Sequence, residues 1–454
     1  MSVLRIGAGA GFSGDRIAPA VELAERGELD FLVFECLAER TIALAQLARL
    51  KNPAAGFDPL LERRMRAVLP VTARNGTRIV TNMGAANPRA AARLVRRIAT
   101  ELGLHGLRIA AVGGDDVLAA IGPCRLDETG AAASALGDRL VSANAYIGVA
   151  PIVAALDAGA DVVICGRASD PALFLAPLVH HFRWRMDDWT RLGRGTLVGH
   201  LLECSAQVTG GYFADPGRKH VPDLARIGFP LAEVDGDGNA TITKVAGSGG
   251  RVSRASCIEQ LLYEIHDPAR YLQPDVAADF SRVRIEETGP DRVAVSGADG
   301  RAATGMLKIS VGYRDGWKGE GQISYAGANC LARAELAASL VGERLADCGA
   351  EILETRREVI GHDSIPRPAA AGPSAARPAA APHEVRMRFA ARCRTEAAAE
   401  TVGEEVEGLY LCGPAGGGGV TRSVTEIIAI ASTLMPAGDV ETGFEMVEAD
   451  DAAA

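Results

Sequence analysis

Short apolar runs at Leu4–Ile6, Phe31–Phe34, Arg78–Val80, Arg108–Val112, Val141–Ala143 and Asp161–Ile164 each end in a cluster of Gly, Asn, Asp or Arg, after which a helical pattern opens. Helices are predicted at Ile17–Arg26 and Ala38–Leu50 among others. Strands alternating with helices of this length imply right-handed βαβ crossovers and a mostly parallel sheet. The six clusters are Gly9–Asp15 (GAGFSGD), Glu35–Arg40 (ECLAER), Asn82–Pro88 (NMGAANP), Gly113–Asp116 (GGDD), Asn144–Gly148 (NAYIG) and Gly166–Pro171 (GRASDP). Ligands of open α/β sheets sit beyond the carboxyl ends of the strands, where loops and helix N-termini present free N–H groups. The clusters are therefore the expected wall of a small-molecule site. Asn87 before Pro88 and Asp170 before Pro171 each read equally as an N-cap ahead of a proline at N1.

After about residue 220 the pattern changes to alternating β-type stretches, at Ala240–Val245, Arg282–Glu287, Arg292–Ser296, Met306–Gly312 and Gly321–Ala326, with turn signals at Asp237-Gly238 and Asp299-Gly300. These predict antiparallel hairpins. A helix over Leu331–Asp347 and a strand over Ile352–Val359 follow. Arg367–Pro382 is rich in Pro and Ala, has little to bury and is expected to be a mobile loop. The pattern then predicts strand Glu384–Ala390, helix Thr395–Val406, strand Leu409–Cys412, a loop over Gly413–Gly419 and helix Ser423–Leu434. The fold class is α/β: an N-terminal mostly parallel sheet with flanking helices over 1–220, then an α+β region rich in antiparallel hairpins over 221–454.

Composition narrows the function classes. The 454 residues are 48% hydrophobic and 23% charged, enough for two or three domains with a real core. A formal charge of −9 argues against binding nucleic acid through its phosphates, while leaving room for a local basic pocket. The nine cysteines are scattered and never spaced CxxC, which fits a reducing cytoplasm and no structural zinc. No signal-peptide pattern opens the chain, and no apolar run approaches the roughly 20 residues that span a bilayer. A cytoplasmic protein is expected, with no membrane partner and with homo-oligomeric assembly.

Gly9, Gly11 and Gly14 satisfy GxGxxG after the first strand, and Glu35 ends the second. That is the dinucleotide fingerprint on paper. Asp15 stands, however, where a pyrophosphate needs positive potential, which favours a plain strand-to-helix turn. In Thr196–Tyr212, His200, Glu203, Cys204 and Gln207 fall at i, i+3, i+4 and i+7, one face of a helix. An imidazole beside a carboxylate suits proton transfer; core packing is the competing explanation, and for Cys204 a buried thiol is favoured over a nucleophile. Asp115 and Asp116 suit a cation or a substrate hydroxyl, or else a solvated turn. Arg167 suits a planar oxyanion, or else a salt bridge to Asp170. The glycines Gly416, Gly417, Gly418 and Gly419 ahead of a predicted helix suit an oxyanion cradle with Arg422 nearby, although the Lys-Ser/Thr ending of a P-loop is missing. Neither NAD, ATP nor a metal is strongly indicated, and the cofactor stays open.

The strings GAGAGFSGDR, LDFLVFECLAERT, GHLLECSAQVTGGYF, LLYEIHDPARYLQPDV and LYLCGPAGGGG, in this order from about Arg5 to Gly419, resemble the acyclic terpene utilisation AtuA family. The resemblance implies a bacterial catabolic protein of branched terpenoid breakdown, where acids are processed as CoA thioesters. Family-like positions include Gly14, Asp15, Glu35, Glu39, Asn82, Asn87, His200, Glu203, Gln207, Gly210, Gly211, Lys244, Glu264, Asp267 and Pro268. The expectation is acid-base chemistry, a hydratase or isomerase, on a small carboxylic acid or acyl thioester. His200 transfers the proton, Glu203 orients it, and Arg167 or the Gly416–Gly419 loop holds an oxyanion. Gly11, Gly14, Asp15, Glu35, Asn82, Asn87, Asp115, Asn144, Asp170, Gly210 and Gly211 complete the expected substrate wall. Two alternatives stand beside it: a nicotinamide-dependent oxidoreductase, and a non-enzymatic scaffold or regulatory subunit acting with a partner protein.

Overall fold

The computed structural model describes residues 3–365 and 382–448. The chain divides into two compact units, one within Met1–Gly312 and Ile430–Ala454, the other within Tyr313–Ala429. In chain order the first unit begins β1 (Leu4–Ala10), α1 (Ala18–Arg26), β2 (Phe31–Phe34), α2 (Glu39–Lys51), α3 (Leu61–Asn75), β3 (Arg78–Thr81), α4 (Pro88–Glu101) and β4 (Ile109–Gly113). It continues with β5 (Leu140–Ala145), α5 (Ala150–Asp157), β6 (Val162–Cys165), α6 (Ala172–Phe182) and α7 (Trp189–Leu202). Then come β7 (Pro230–Val234), β8 (Ala240–Lys244), α8 (Arg254–Leu262), β9 (Tyr271–Leu272), β10 (Ala277–Asp279), β11 (Arg284–Gly289), β12 (Arg292–Ser296) and β13 (Asp299–Arg301).

Strands β1, β2, β3, β6 and β4 lie side by side in that order, all parallel, as the strand-helix alternation requires. Their short apolar runs are buried on both faces, which is why they show no polar alternation. Leu32, Phe34, Ile79, Ile109, Ala111, Val162 and Ile164 pack into one core with α1, α3 and α4. The intervening Val33, Val80, Ala110, Val112 and Val163 are buried as well, on the opposite face by the two-residue period of a strand. There α6 packs on α5 and α7 and reaches β1, β2 and β3. The loops after β3 and β6, neighbours in the sheet, thus lead to helices on opposite faces, and a crevice opens between them.

The hairpin strands extend this same sheet: β7, β8, β12 and β11 add antiparallel beyond β1. The expected strand after Ser142 exists, but β5 leaves the parallel sheet and pairs with β14 (Met306–Ala326). Only five of the six polar clusters therefore end parallel strands.

In the second unit α9 (Cys330–Asp347) and α10 (Glu396–Glu407) cover a sheet built with β15 (Ile352–Ile360) and β16 (Glu384–Cys393) around a shared apolar core. Two expectations fail here. Leu409–Cys412 is a helical turn, α11, continuing from α10 through Gly408, with Cys412 N–H donating to Gly408 O at 3.0 Å. The expected helix Ser423–Leu434 is part of a strand, β17 (Gly418–Pro436). Val424, Thr425, Ile427, Ile428, Ile430 and Thr433 crowd a helix but suit a pleated surface, and their β-branching prevails over the glycine-then-helix reading. The last strand, β18 (Gly443–Val447), closes the other edge of the large sheet against β4. The Pro/Ala-rich stretch expected to be a mobile loop lies, except for Pro382, outside the described residues. Among the described residues no helix is long and apolar enough to cross a membrane.

Candidate active site

At the carboxyl ends of β2, β3 and β6 the polar residues fold into one connected network. Asn82 is fully buried; its Oδ1 accepts from Cys36 N–H at 2.7 Å and its Nδ2 donates to Glu35 Oε1 at 2.9 Å. Leu37 N–H donates to the same Glu35 oxygen at 2.8 Å. Arg167, 1% exposed, donates to the Leu37 carbonyl and to Asp170 Oδ1 at 2.5 Å, so the salt bridge weighed for it is present. Its backbone N–H donates to Asp115 Oδ2 at 3.0 Å, and Asn144 Nδ2 donates to that oxygen at 2.8 Å. The network thus joins Glu35, Asn82, Asp115, Asn144, Arg167 and Asp170.

These groups back a cleft of about 480 Å³, a size suited to one small molecule. Glu35, Glu39, Tyr146, Asp170, Arg270 and Lys308 supply its polar lining, and Leu37, Pro171, Leu272, Met306 and Leu434 its hydrocarbon. The Tyr146 ring is approached by two cations, Arg167 Cζ at 4.0 Å and Lys308 Nζ at 5.0 Å from its centroid. Its hydroxyl donates to Glu39 Oε1 at 2.5 Å, and Lys308 Nζ donates to the same oxygen at 3.0 Å.

The electrostatics separate the carboxyls. Burial pushes Glu35 well above the usual range, and the Asp170 charge adds to this against Arg167. Burial pushes half-buried Asp170 up to about 7 even with Arg167 beside it, Glu203 and Glu39 contributing in the same direction. Asp115 is pushed up to about 6 by burial. Glu39 behaves oppositely: against burial, the hydrogen bonds from Tyr146 and Lys308 hold it down to about 2. Acidic groups whose environments split them in this way are what proton transfer at neutral pH requires.

The His200 face takes a different form from the one expected. Helix α7 ends at Leu202 with Glu203 as its cap, and a short 3-10 turn over Ser205–Gln207 follows, so Gln207 leaves the shared face. His200 is 1% exposed, with Nδ1 2.8 Å from Glu203 Oε1 and Nε2 3.2 Å from the Leu261 carbonyl oxygen. Burial disfavours charging this ring, yet the Glu203 carboxylate outweighs it and raises the pKa. Its ring packs 5.3 Å from that of Tyr271, a residue of the cleft wall. Cys204 is held in its thiol form by burial and by Glu203.

Other expected positions serve the fold. Asn87 caps α4, accepting from Ala90 N–H at 3.3 Å, and spends its amide on the Pro53 and Ala55 carbonyls at 2.9 Å each. Asp170 does not cap α6; Pro171 holds that place and the carboxylate turns to Arg167. Asp15 Oδ2 accepts the Gly11 N–H at 3.0 Å and Oδ1 its neighbour Arg16 N–H at 2.7 Å. Fully buried Arg64 donates to the carbonyls of Ser13 at 2.8 Å and Asp15 at 3.1 Å. The Gly9–Gly14 turn therefore directs carbonyls at a guanidinium and fills its own anion position with Asp15. Gly210 and Gly211 form the turn after the 3-10 helix, with Gly211 N–H donating to Ala206 O at 2.7 Å. Asp116 pairs with Arg49 at 3.7 Å, and no cluster of three or more His, Cys, Asp or Glu able to hold a metal occurs among the described residues. In the second unit the glycine run precedes no helix, and its neighbouring carbonyls receive arginines: Arg333 donates to Ala415 O at 2.7 Å and Arg386 to Gly419 O at 3.0 Å.

Sequence reasoning missed Tyr146, Arg270, Tyr271, Gln273 and Lys308 as wall residues. Tyr146 sits inside the NAYIG cluster and Lys308 is a lone charge in the run Met306–Gly312, so both left a trace. Arg270, Tyr271 and Gln273 lie within the family-like string LLYEIHDPARYLQPDV, but in a loop and a two-residue strand with no periodic signature to single them out.

The model of the acyclic terpene utilisation family protein AtuA matches residues 4–446. The chain belongs to that family, and with it to the proteins of acyclic terpene utilisation. Neither curated proteins nor solved structures yielded a match.

Proposed function

We propose that this member of the AtuA family is an enzyme that moves a proton on a branched acyclic acid or its acyl thioester, isomerising or hydrating a carbon–carbon double bond, or forming one by loss of water from a hydroxy acid. The observation that carries this reading is the pair Glu35 and Asp170 on one cleft wall, both raised, with Asp170 near 7. Asp170, ionised against Arg167, takes the proton from carbon. Glu35, whose carboxyl is raised well above the usual range by burial, returns one, its Oε1 held by Asn82 and Leu37. Lys308 donates one N–H to Glu39 and has others for a carbonyl oxygen, where negative charge develops. In this reading the proton-transfer role passes from His200 to Asp170, because both His200 nitrogens already face acceptors.

The test is proton exchange in D2O, followed by NMR, on an unsaturated ten-carbon branched acid and its CoA thioester. Wild type should incorporate deuterium or add water, and D170N should be slower by about a hundredfold or more. Binding without exchange or hydration in wild type, or an undiminished D170N, overturns the reading.

A further inference from the structure

We infer that the cleft takes its substrate as a free amphiphilic monocarboxylate anchored by Arg270, and not as a thioester; the inference rests on reading this cleft as the reaction site. Four carboxyls and two cations line it. Lys308 has its charge paired with Glu39 at 3.0 Å, which leaves its other N–H groups as hydrogen-bond donors and not as a free counter-ion. Glu35 and Asp170 lie against Arg167, which is buried behind the wall. Glu264 and Arg270 both stand at the exposed rim. Arg270 is left: among the described residues no ion pair or side-chain hydrogen bond engages its guanidinium, although four carboxyls line the same cleft. A guanidinium fork is built for the planar, bidentate recognition of a carboxylate.

The backbone beneath Arg270 is braced. Asp267 Oδ1 accepts from Ala269 N–H and Asp267 O from Arg270 N–H, each at 3.0 Å. Pro268 O accepts from Phe280 N–H at 2.6 Å. Strand β9 starts at the next residue and pairs with β10, Leu272 opposite Ala277 and Tyr271 opposite Ala278. Tyr271 in turn packs on the buried His200 ring. The backbone that carries Arg270 is thus held before any ligand arrives, which lowers the ordering cost of binding. Beyond the charge, Leu37, Pro171, Leu272, Met306 and Leu434 ask for hydrocarbon. A neutral thioester carbonyl would leave Arg270 without a counter-ion, whereas a carboxylate without Arg270 would have only Lys308, already paired with Glu39, against the acidic lining.

Calorimetric binding of a ten-carbon branched acyclic acid, its primary amide and its uncharged N-acetylcysteamine thioester to wild type, R270Q and R270K tests this. The acid should bind at least about tenfold tighter than either neutral derivative, and R270Q should erase that preference while R270K keeps part of it. Thermal unfolding of the exposed-site variants checks that the fold is kept. Equal or tighter binding of the amide or thioester, or an undiminished preference in R270Q, overturns the inference. Acid-selective binding without proton exchange would leave it standing and remove the reaction proposed above. Failure of wild type to bind any of the three removes both.

Discussion

Gly11 and Cys204 meet backbone to backbone: a Cβ on Gly11 would stand 2.5 Å from the Cys204 carbonyl carbon. The glycine turn after β1 and the end of the His200 helix are therefore one packed junction, and the glycine is there for closeness. G11A should destabilise the protein by about 1–3 kcal/mol, as overpacking does, and urea unfolding measures it. A G11A protein of unchanged stability would show that the junction yields easily.

His200 should matter more for stability than for turnover. H200Q breaks a buried charged pair and should cost about 3 kcal/mol or more, while slowing proton exchange far less than D170N does. Because the folded pKa of His200 is raised, its stabilisation is complete below its ordinary value of 6.5 and fades as pH rises through the folded value. The stability gap between wild type and H200Q should therefore narrow with increasing pH in denaturation curves.

Asp170 sets the pH profile. With its carboxyl near 7 and its ionised form acting as base, kcat/KM should climb about tenfold per pH unit below 7 and level off above it. A profile flat between pH 5.5 and 8 would assign the base elsewhere.

Asp275 accepts the Val149 N–H on both carboxylate oxygens at 3.1 Å, and burial pushes it up to about 6 from an ordinary value of 3.8. The folded state holds this proton to higher pH than the unfolded state does. Stability is thus lost as pH rises from about 4 to about 6, and the deficit then stays constant. D275N should flatten that slope by about 1–2 kcal/mol across the interval, as read from the pH dependence of Tm.

The parallel strands were legible because burial on both faces leaves an unbroken apolar run, and a polar cluster must follow wherever the chain turns at the sheet end. Glu35, Asn82, Asp115, Arg167 and Asp170 were found in this way. Ser423–Leu434 was misread because its apolar residues satisfy a helical stripe as well as a strand; the β-branched content decides, and the preceding glycines drew attention away from it. His200 and Glu203 were paired correctly at i and i+3, but the spacing is silent on what the other ring nitrogen meets. That partner, the Leu261 carbonyl, lies 61 residues on.

From sequence alone came what local chemistry dictates: the family, the α/β class, the strand ends and the residue types gathered there. Tertiary structure decided which of these groups share a cleft, which are spent on caps and turns, and which protons are held near neutral pH. The physical reason is that periodicity and turn chemistry act over a few residues, whereas burial, charge proximity and a second hydrogen-bond partner arise only when distant segments pack. Arg270 and Lys308, from loop and strand far along the chain, complete a wall that β2, β3 and β6 begin.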